Sequence, residues 1–144
     1  MATHRASAFW EGDLGSGKGK AELASGAAPE FDVTWKGRVE GVGGMTSPEE
    51  LLAAAHASCF SMALSHELSE AGNPPERLAV EAAVSIEPVE GGFGVTRSEL
   101  KVRGTVPGVD AAAFEEAARA AGEGCPISGA LKGNVAVSVD ATLE

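Results

Sequence analysis

The sequence predicts an α+β fold in which antiparallel β-sheets pack around one long buried central helix. Three observations predict it. Residues 46–71, TSPEELLAAAHASCFSMALSHELSEA, carry the longest helix-like pattern in the chain. Several other segments alternate apolar and polar residues with a period of two, the signature of strands buried on one face. The strands fall in pairs around glycine-rich turns, giving the order β-β-β-α-β-β-α-β, which lacks the regular alternation of a doubly wound parallel sheet. The length of 144 residues suits one domain spanning 1–144, with no repeat, no low-complexity tract and no long linker.

The elements follow in order. His4 to Trp10 reads as a short strand. Gly12 to Gly19 is a hairpin turn, with Lys20 to Ser25 returning. Its GSGKGK stretch lacks the spacing of a phosphate-binding loop. Phe31 to Glu40 reads as a third strand, with Val33, Trp35, Gly37 and Val39 on one face. Gly41 to Gly44 links it to the long helix. That helix has a marked start: Ser47 as N-cap, Pro48 at the first position and Glu50 completing a capping box by reaching back to the N-cap amide. Glu49 is then the free carboxylate. Ala71-Gly72-Asn73-Pro74-Pro75 ends the helix. Leu52, Ala55, Cys59, Met62, Ala63 and His66 share one face, and Phe60, Leu64 and Leu68 line the next, so the helix is expected to be buried over much of its circumference. Arg77 to Pro88 alternates cleanly, and Glu90-Gly91-Gly92 turns into a strand from Phe93 to Val106. The alternation slips between Val95 and Leu100, where a bulge is expected. Asp110 caps a helix over Ala111 to Ala121, stopped by Gly122 and Gly124. Cys125 stands at an N-cap position with Pro126 at the start of a short turn. Asn134 to Leu143 forms the last strand.

Composition narrows the function. Net charge is −10 and the pI is near 4.7, which disfavours nucleic acid and anionic membrane surfaces as partners. Aromatics are 5% with no Tyr, a poor stacking platform for bases. No apolar run has the length of a membrane span, and MATHRASAFWEGD has no signal-peptide core. A cytoplasmic protein is the expectation. In that compartment two cysteines point to chemistry or metal more than to a permanent staple, and without a CxxC the case for zinc is weak.

The two cysteines sit in different settings. A helix N-terminus favours thiolate, which gives Cys125 a local reason to ionise. Cys59 is mid-helix and needs a cation from elsewhere. Arg38 is the best candidate, and Glu49 can fix it by a bidentate pair. A surface ion pair of little consequence and an inert core cysteine are the bland alternatives. Glu49 and Cys59 are ten positions apart on one helix, about 15 Å of rise. Glu49 therefore serves either the Cys59 of a second, antiparallel subunit or, through a kinked helix, its own. His56 and His66 read as core or interface histidines.

The sequence resembles the OsmC/Ohr family, nearest its OsmC branch, the osmotically inducible hydroperoxide reductases. The resemblance is carried by Arg38-Val39-Glu40-Gly41, by Thr46-Ser47-Pro48-Glu49-Glu50-Leu51-Leu52, by Ala54-Ala55-His56-Ala57-Ser58-Cys59-Phe60-Ser61-Met62-Ala63-Leu64, by Val106-Pro107-Gly108-Val109-Asp110 and by Gly124-Cys125-Pro126-Ile127-Ser128. Ser47 departs from the Asn of many relatives, and both are good N-caps. The resemblance implies an intertwined homodimer with active sites at the interface, Cys59 as peroxidatic and Cys125 as resolving cysteine, Arg38 as activating arginine and Glu49 as its partner. It implies reduction of organic hydroperoxides through a Cys59 sulfenic acid and a Cys59–Cys125 disulfide, with no bound cofactor or metal and an external, lipoyl-linked dithiol reductant. Phe60 and Met62 are expected to form an apolar mouth for alkyl peroxides. A structural disulfide, worth about 4 kcal/mol in the chain-entropy model, and a slow redox-sensing or binding protein on the same scaffold are the alternatives.

Overall fold

The computed structural model describes residues 1–144. They form two compact units, Met1–Leu51 and Leu52–Glu144.

In the first unit, β1 (Ala6–Glu11), β2 (Lys18–Leu23) and β3 (Phe31–Val33) make an antiparallel sheet in that order. The expected β1–β2 hairpin is present, but its turn is shorter than 12–19, and Lys18, Gly19 and Lys20 of the GSGKGK stretch already belong to β2. The third strand stops at Val33. Residues Trp35–Glu40, expected to continue it, form a short helix, α1. The local reason is Thr34, whose hydroxyl accepts the Gly37 N–H at 2.9 Å and so nucleates a helical turn. Gly37 is buried, with Thr34 Oγ1 only 3.1 Å from where a Cβ would stand, and Gly41 ends the turn at φ 72°. Capping chemistry outweighed the apolar alternation, and Arg38 therefore projects from a helix.

The long helix α2 runs unbroken from Pro48 to Glu70. Ser47 Oγ caps it by accepting the Glu50 N–H at 3.0 Å. The reciprocal half of the expected capping box is absent: Glu50 instead accepts from the Thr46 hydroxyl at 2.7 Å.

In the second unit, β4 (Arg77–Val89) and β5 (Gly92–Thr105) form an antiparallel hairpin, and β6 (Ala136–Leu143) pairs with β5 in parallel. The expectation of wholly antiparallel sheets fails at β6. The helices α3 (Ala111–Gly124) and α4 (Pro126–Leu131) lie between β5 and β6 and supply the crossover that a parallel pair requires. Ser85 pairs with Arg97 and Ile86 with Val95, which leaves Thr96 as the extra residue of a bulge, inside the span where the alternation slips. Asp110 caps α3 by accepting the Ala113 N–H at 2.8 Å. Gly122 does not stop α3. It continues to Gly124, and Gly122 is where Val139 packs closest, with Cγ2 2.8 Å from a would-be Cβ.

The core of this unit joins Phe60, Leu64 and Leu68 of α2 to Leu100, Val102 and Val106 and to Phe114, Ala118 and Ala121 of α3. The buried stripe of α2 is thus one i, i+4 row beginning at His56. Ala55, Met62 and His66 are exposed within the chain, Met62 by 72%. The sheet and α3 cover only one side of the helix. Gly104 marks the tightest approach in the core, where an added Cβ would stand 2.4 Å from Phe114 Cζ and 3.3 Å from Leu78 Cδ2. Gly104→Ala is expected to destabilise the protein by about 1–3 kcal/mol through overpacking, read as a lower urea midpoint at unchanged slope. An unmoved midpoint would show that the ring can shift without cost. No helix is long and apolar enough to cross a membrane.

Candidate active site

Two pairs of side chains are brought together. The first is Arg38 and Glu49. Arg38 lies in the last turn of α1, and Glu49 in the first turn of α2. Arg38 Nε donates to Glu49 Oε1 and Oε2 at 3.2 and 3.1 Å, and Nη2 donates to Oε1 at 2.7 Å. The Glu49 side chain is 6% exposed and that of Arg38 34%. A buried carboxylate held by a guanidinium fork is not a loose surface pair. The Trp35 ring adds a third contact, its centroid 5.9 Å from Arg38 Cζ. Glu49 thereby fixes a cation that keeps one flank open to solvent.

The second pair is Cys59 and Cys125. Cys59 is partly buried on α2, and Cys125 is 1% exposed at the junction of α3 and α4. The chain makes that junction with one residue. The Cys125 N–H closes α3 on Ala121 O at 2.9 Å, and its carbonyl opens α4 by accepting from Gly129 at 3.0 Å. Pro126 occupies the first position of α4, where a missing N–H costs nothing. The thiols are reduced and interact with each other. Burial pushes the Cys59 thiol up, and its hydrogen bond with Cys125 adds to this. At Cys125 burial also opposes ionisation. It is outweighed by the hydrogen bond from Cys59, by the N–H groups of Ser128 and Ile127 and by the Ser128 hydroxyl, so this thiol falls below its ordinary value. No full capping hydrogen bond to the Cys125 side chain is needed for this. Within its own unit, Cys125 is the more acidic thiol, as its helix-start position suggested.

The expected apolar mouth is not formed by Phe60 and Met62. Phe60 is fully buried in the core, whereas Met62 lies on the exposed side of α2. They are two residues apart on a helix and so point in different directions. A cavity of about 650 Å³ in the second unit is lined by Ser128, Val137, Val139 and Arg119 but by neither cysteine. No three His, Cys, Asp or Glu side chains converge as a metal site would require. His56 lies in the core, one of the two places expected for it, between Ser98 and Ser128. The part these two serines play was not read from the sequence. Ser128 could have been found, since it stands three residues after the N-cap Cys125, the spacing that faces an N-cap side chain.

A family model described as "OsmC-like protein" matches residues 41–140, which include both cysteines and Glu49. The chain belongs to the OsmC family. It is 43% identical over 136 residues to the peroxiredoxin OsmC of Escherichia coli K12, covering 94% of each chain. It is 31% identical over 127 residues, 87% of each chain, to the organic hydroperoxide resistance protein of Xanthomonas axonopodis pv. citri. Among solved structures, the organic hydroperoxide resistance protein OhrB of Bacillus subtilis superposes with a TM-score of 0.75 at 30% identity, over 96% of this chain and 98% of that one. A Vibrio cholerae protein described as a "putative organic hydroperoxide resistance protein", solved with captopril in one of the active sites, gives 0.76 at 25% identity over 98% and 93%. The OsmC fold is therefore the α+β arrangement seen here, with two small sheets and helices.

Proposed function

We propose that this OsmC-family chain is a thiol-dependent peroxidase that reduces organic hydroperoxides to alcohols in defence against oxidative and osmotic stress. The names and likeness of its relatives support the substrate class. The observation that carries the chemistry is the thiol pair: Cys59 and Cys125, 66 positions apart in sequence, interact at the start of α4.

The Cys59 thiolate attacks the distal oxygen of the hydroperoxide. The O–O bond breaks, the alcohol leaves with a proton, and Cys59 becomes a sulfenic acid. Cys125 then attacks the sulfenic sulfur, forming the Cys59–Cys125 disulfide and releasing water. An external dithiol, lipoyl-linked by family resemblance, reduces the disulfide, so no bound cofactor takes part. The Ile127 N–H favours the Cys59 thiolate but is outweighed by burial and by Cys125, and Arg38 held by Glu49 supplies the missing charge. The helix is unbroken, so the kinked alternative loses its support, and Glu49 and Cys59 stand ten positions apart on α2, about 15 Å. The Arg38–Glu49 pair accordingly serves the Cys59 of a second copy, in a homodimer with two equivalent sites. The protein works in the cytoplasm, where both thiols are kept reduced between turnovers.

The test is to treat the reduced protein with one equivalent of cumene hydroperoxide, block free thiols and identify cysteine peptides by mass spectrometry. The expected products are a Cys59–Cys125 disulfide in the wild type and an oxidised Cys59 in Cys125→Ser. Two free thiols after exposure would sink the peroxidase and leave a binding or slow redox-sensing protein on the OsmC scaffold.

A further inference from the structure

His56 is fully buried on α2, and both ring nitrogens are engaged. Nδ1 lies 2.7 Å from Ser98 Oγ and Nε2 lies 2.8 Å from Ser128 Oγ. Ser98 is 0% and Ser128 6% exposed. Packing alone does not call for this arrangement. An apolar side chain would fill the volume without three polar groups to satisfy inside a core. The network has a direction: Ser128 is the third residue of α4, and Cys125 is its N-cap. At a helix start the N-cap side chain faces the third helical residue. The Ser128 hydroxyl is among the groups that favour the Cys125 thiolate. His56 thus reaches the resolving thiol through a single hydroxyl.

We propose that His56 is a positioning residue for the resolving step: by donating its Nε2–H to Ser128 Oγ, it turns the Ser128 hydroxyl proton onto the Cys125 sulfur and holds that sulfur as the attacking thiolate. The timing of this role rests on the peroxidase function proposed above.

A hydroxyl has one proton to give. With the proton on Nε2, Ser98 donates to the bare Nδ1, and the Ser128 proton is free for sulfur. With the proton on Nδ1, the ring takes the Ser128 proton and offers Cys125 only an acceptor, which favours the thiol. The ring tautomer and the Cys125 protonation state are therefore linked. Burial keeps the ring neutral by disfavouring imidazolium, so the switch is between two neutral tautomers. Few other groups face Cys125. Cys59 does so from α2, and α3 contributes the apolar Ala121. The charged neighbours of Ser98 on β5, Arg97 and Glu99, are exposed on its other face. The Arg38 brought by the proposed second copy is the one cation to consider. In the resolving step the Cys125 thiolate attacks the Cys59 sulfenic sulfur, the S–S bond forms and the S–O bond breaks. The departing hydroxide takes up the proton that Cys125 released earlier, leaving water.

The test begins in a Cys59→Ser background, where the Cys125 thiolate is titrated by its ultraviolet absorbance without any peroxidase activity. Adding Ser128→Ala or His56→Leu is expected to raise the midpoint by about one pH unit. His56→Gln, whose amide N–H₂ can donate to Ser128, is expected to bring it back. With Cys59 present, Ser128→Ala slows disulfide formation after a hydroperoxide pulse about tenfold at neutral pH, while oxidation of Cys59 itself stays within about twofold. An unmoved midpoint in folded Ser128→Ala would overturn the proposal even if His56→Leu does not fold. An equal fall in both rates would do the same, because it would mark a merely structural role. Failure of the peroxidase function looks different: Cys59 then stays unoxidised in the wild type while the titration shift persists.

Discussion

Arg38→Met is expected to lower kcat/KM for cumene hydroperoxide by about 10²–10³-fold, the scale of losing one preorganised charge at a reacting group. The reason lies in the state of Cys59. Its thiol is pushed up by burial and then by its hydrogen bond with Cys125, and no positive group of its own unit offsets these. Arg38 is the side chain built to do so, with Glu49 taking Nε and one face of Nη2 and leaving the rest of the fork free. Arg38→Lys keeps the charge but loses the fork, and is expected to recover only part of the activity. Removing Arg38 also strands a buried carboxylate, which costs about 3 kcal/mol of stability. Arg38→Met/Glu49→Gln removes that penalty, and steady-state kinetics on this double variant separate catalysis from folding. If the double variant turns over like wild type, Arg38 has no catalytic part.

Two inactive variants are expected to restore activity when refolded together. Arg38→Met keeps Cys59, and Cys59→Ser keeps Arg38. If each site takes its arginine from one copy and its cysteine from the other, a mixed dimer has one wild-type site and one doubly defective site. Random pairing makes about half of the dimers mixed, so the mixture should reach about a quarter of wild-type activity from near zero. If each chain built its own site, every site in the mixture would lack one group and no activity would return. The experiment distinguishes the arrangements without a structure of the assembly, and it follows from the uninterrupted helix between Glu49 and Cys59.

The elements that depend on local rules were legible in the chain. Ser47-Pro48 opens α2 and Asp110 opens α3, because a cap needs only a side chain within three residues of the amide it serves, and Pro126 opens α4 because the first helical position has no N–H to lose. The slip in alternation located the Thr96 bulge for the same reason. Where two local rules compete, the cap prevails: Phe31 to Glu40 alternates like a strand, yet Thr34 caps a helix inside it. The reach of α3 past Gly122 was hidden because that glycine answers to Val139, a neighbour distant in sequence.

By itself the sequence determined the composition of the site. It singled out Cys59, Cys125, Arg38 and Glu49, and through cap chemistry it made Cys125 the thiol with a local source of acidity. Only the tertiary structure decided which groups meet. Period-two alternation does not record strand direction, so the parallel pairing of β6 with β5 came from the α3–α4 crossover. Helical periodicity marks apolar faces but not which is covered, so Phe60 went into the core and Met62 to the surface. The union of His56 with Ser98 and Ser128, across 42 and 72 positions, leaves no local trace at all, because a buried hydrogen bond depends on where chain segments pack and not on the residues beside it.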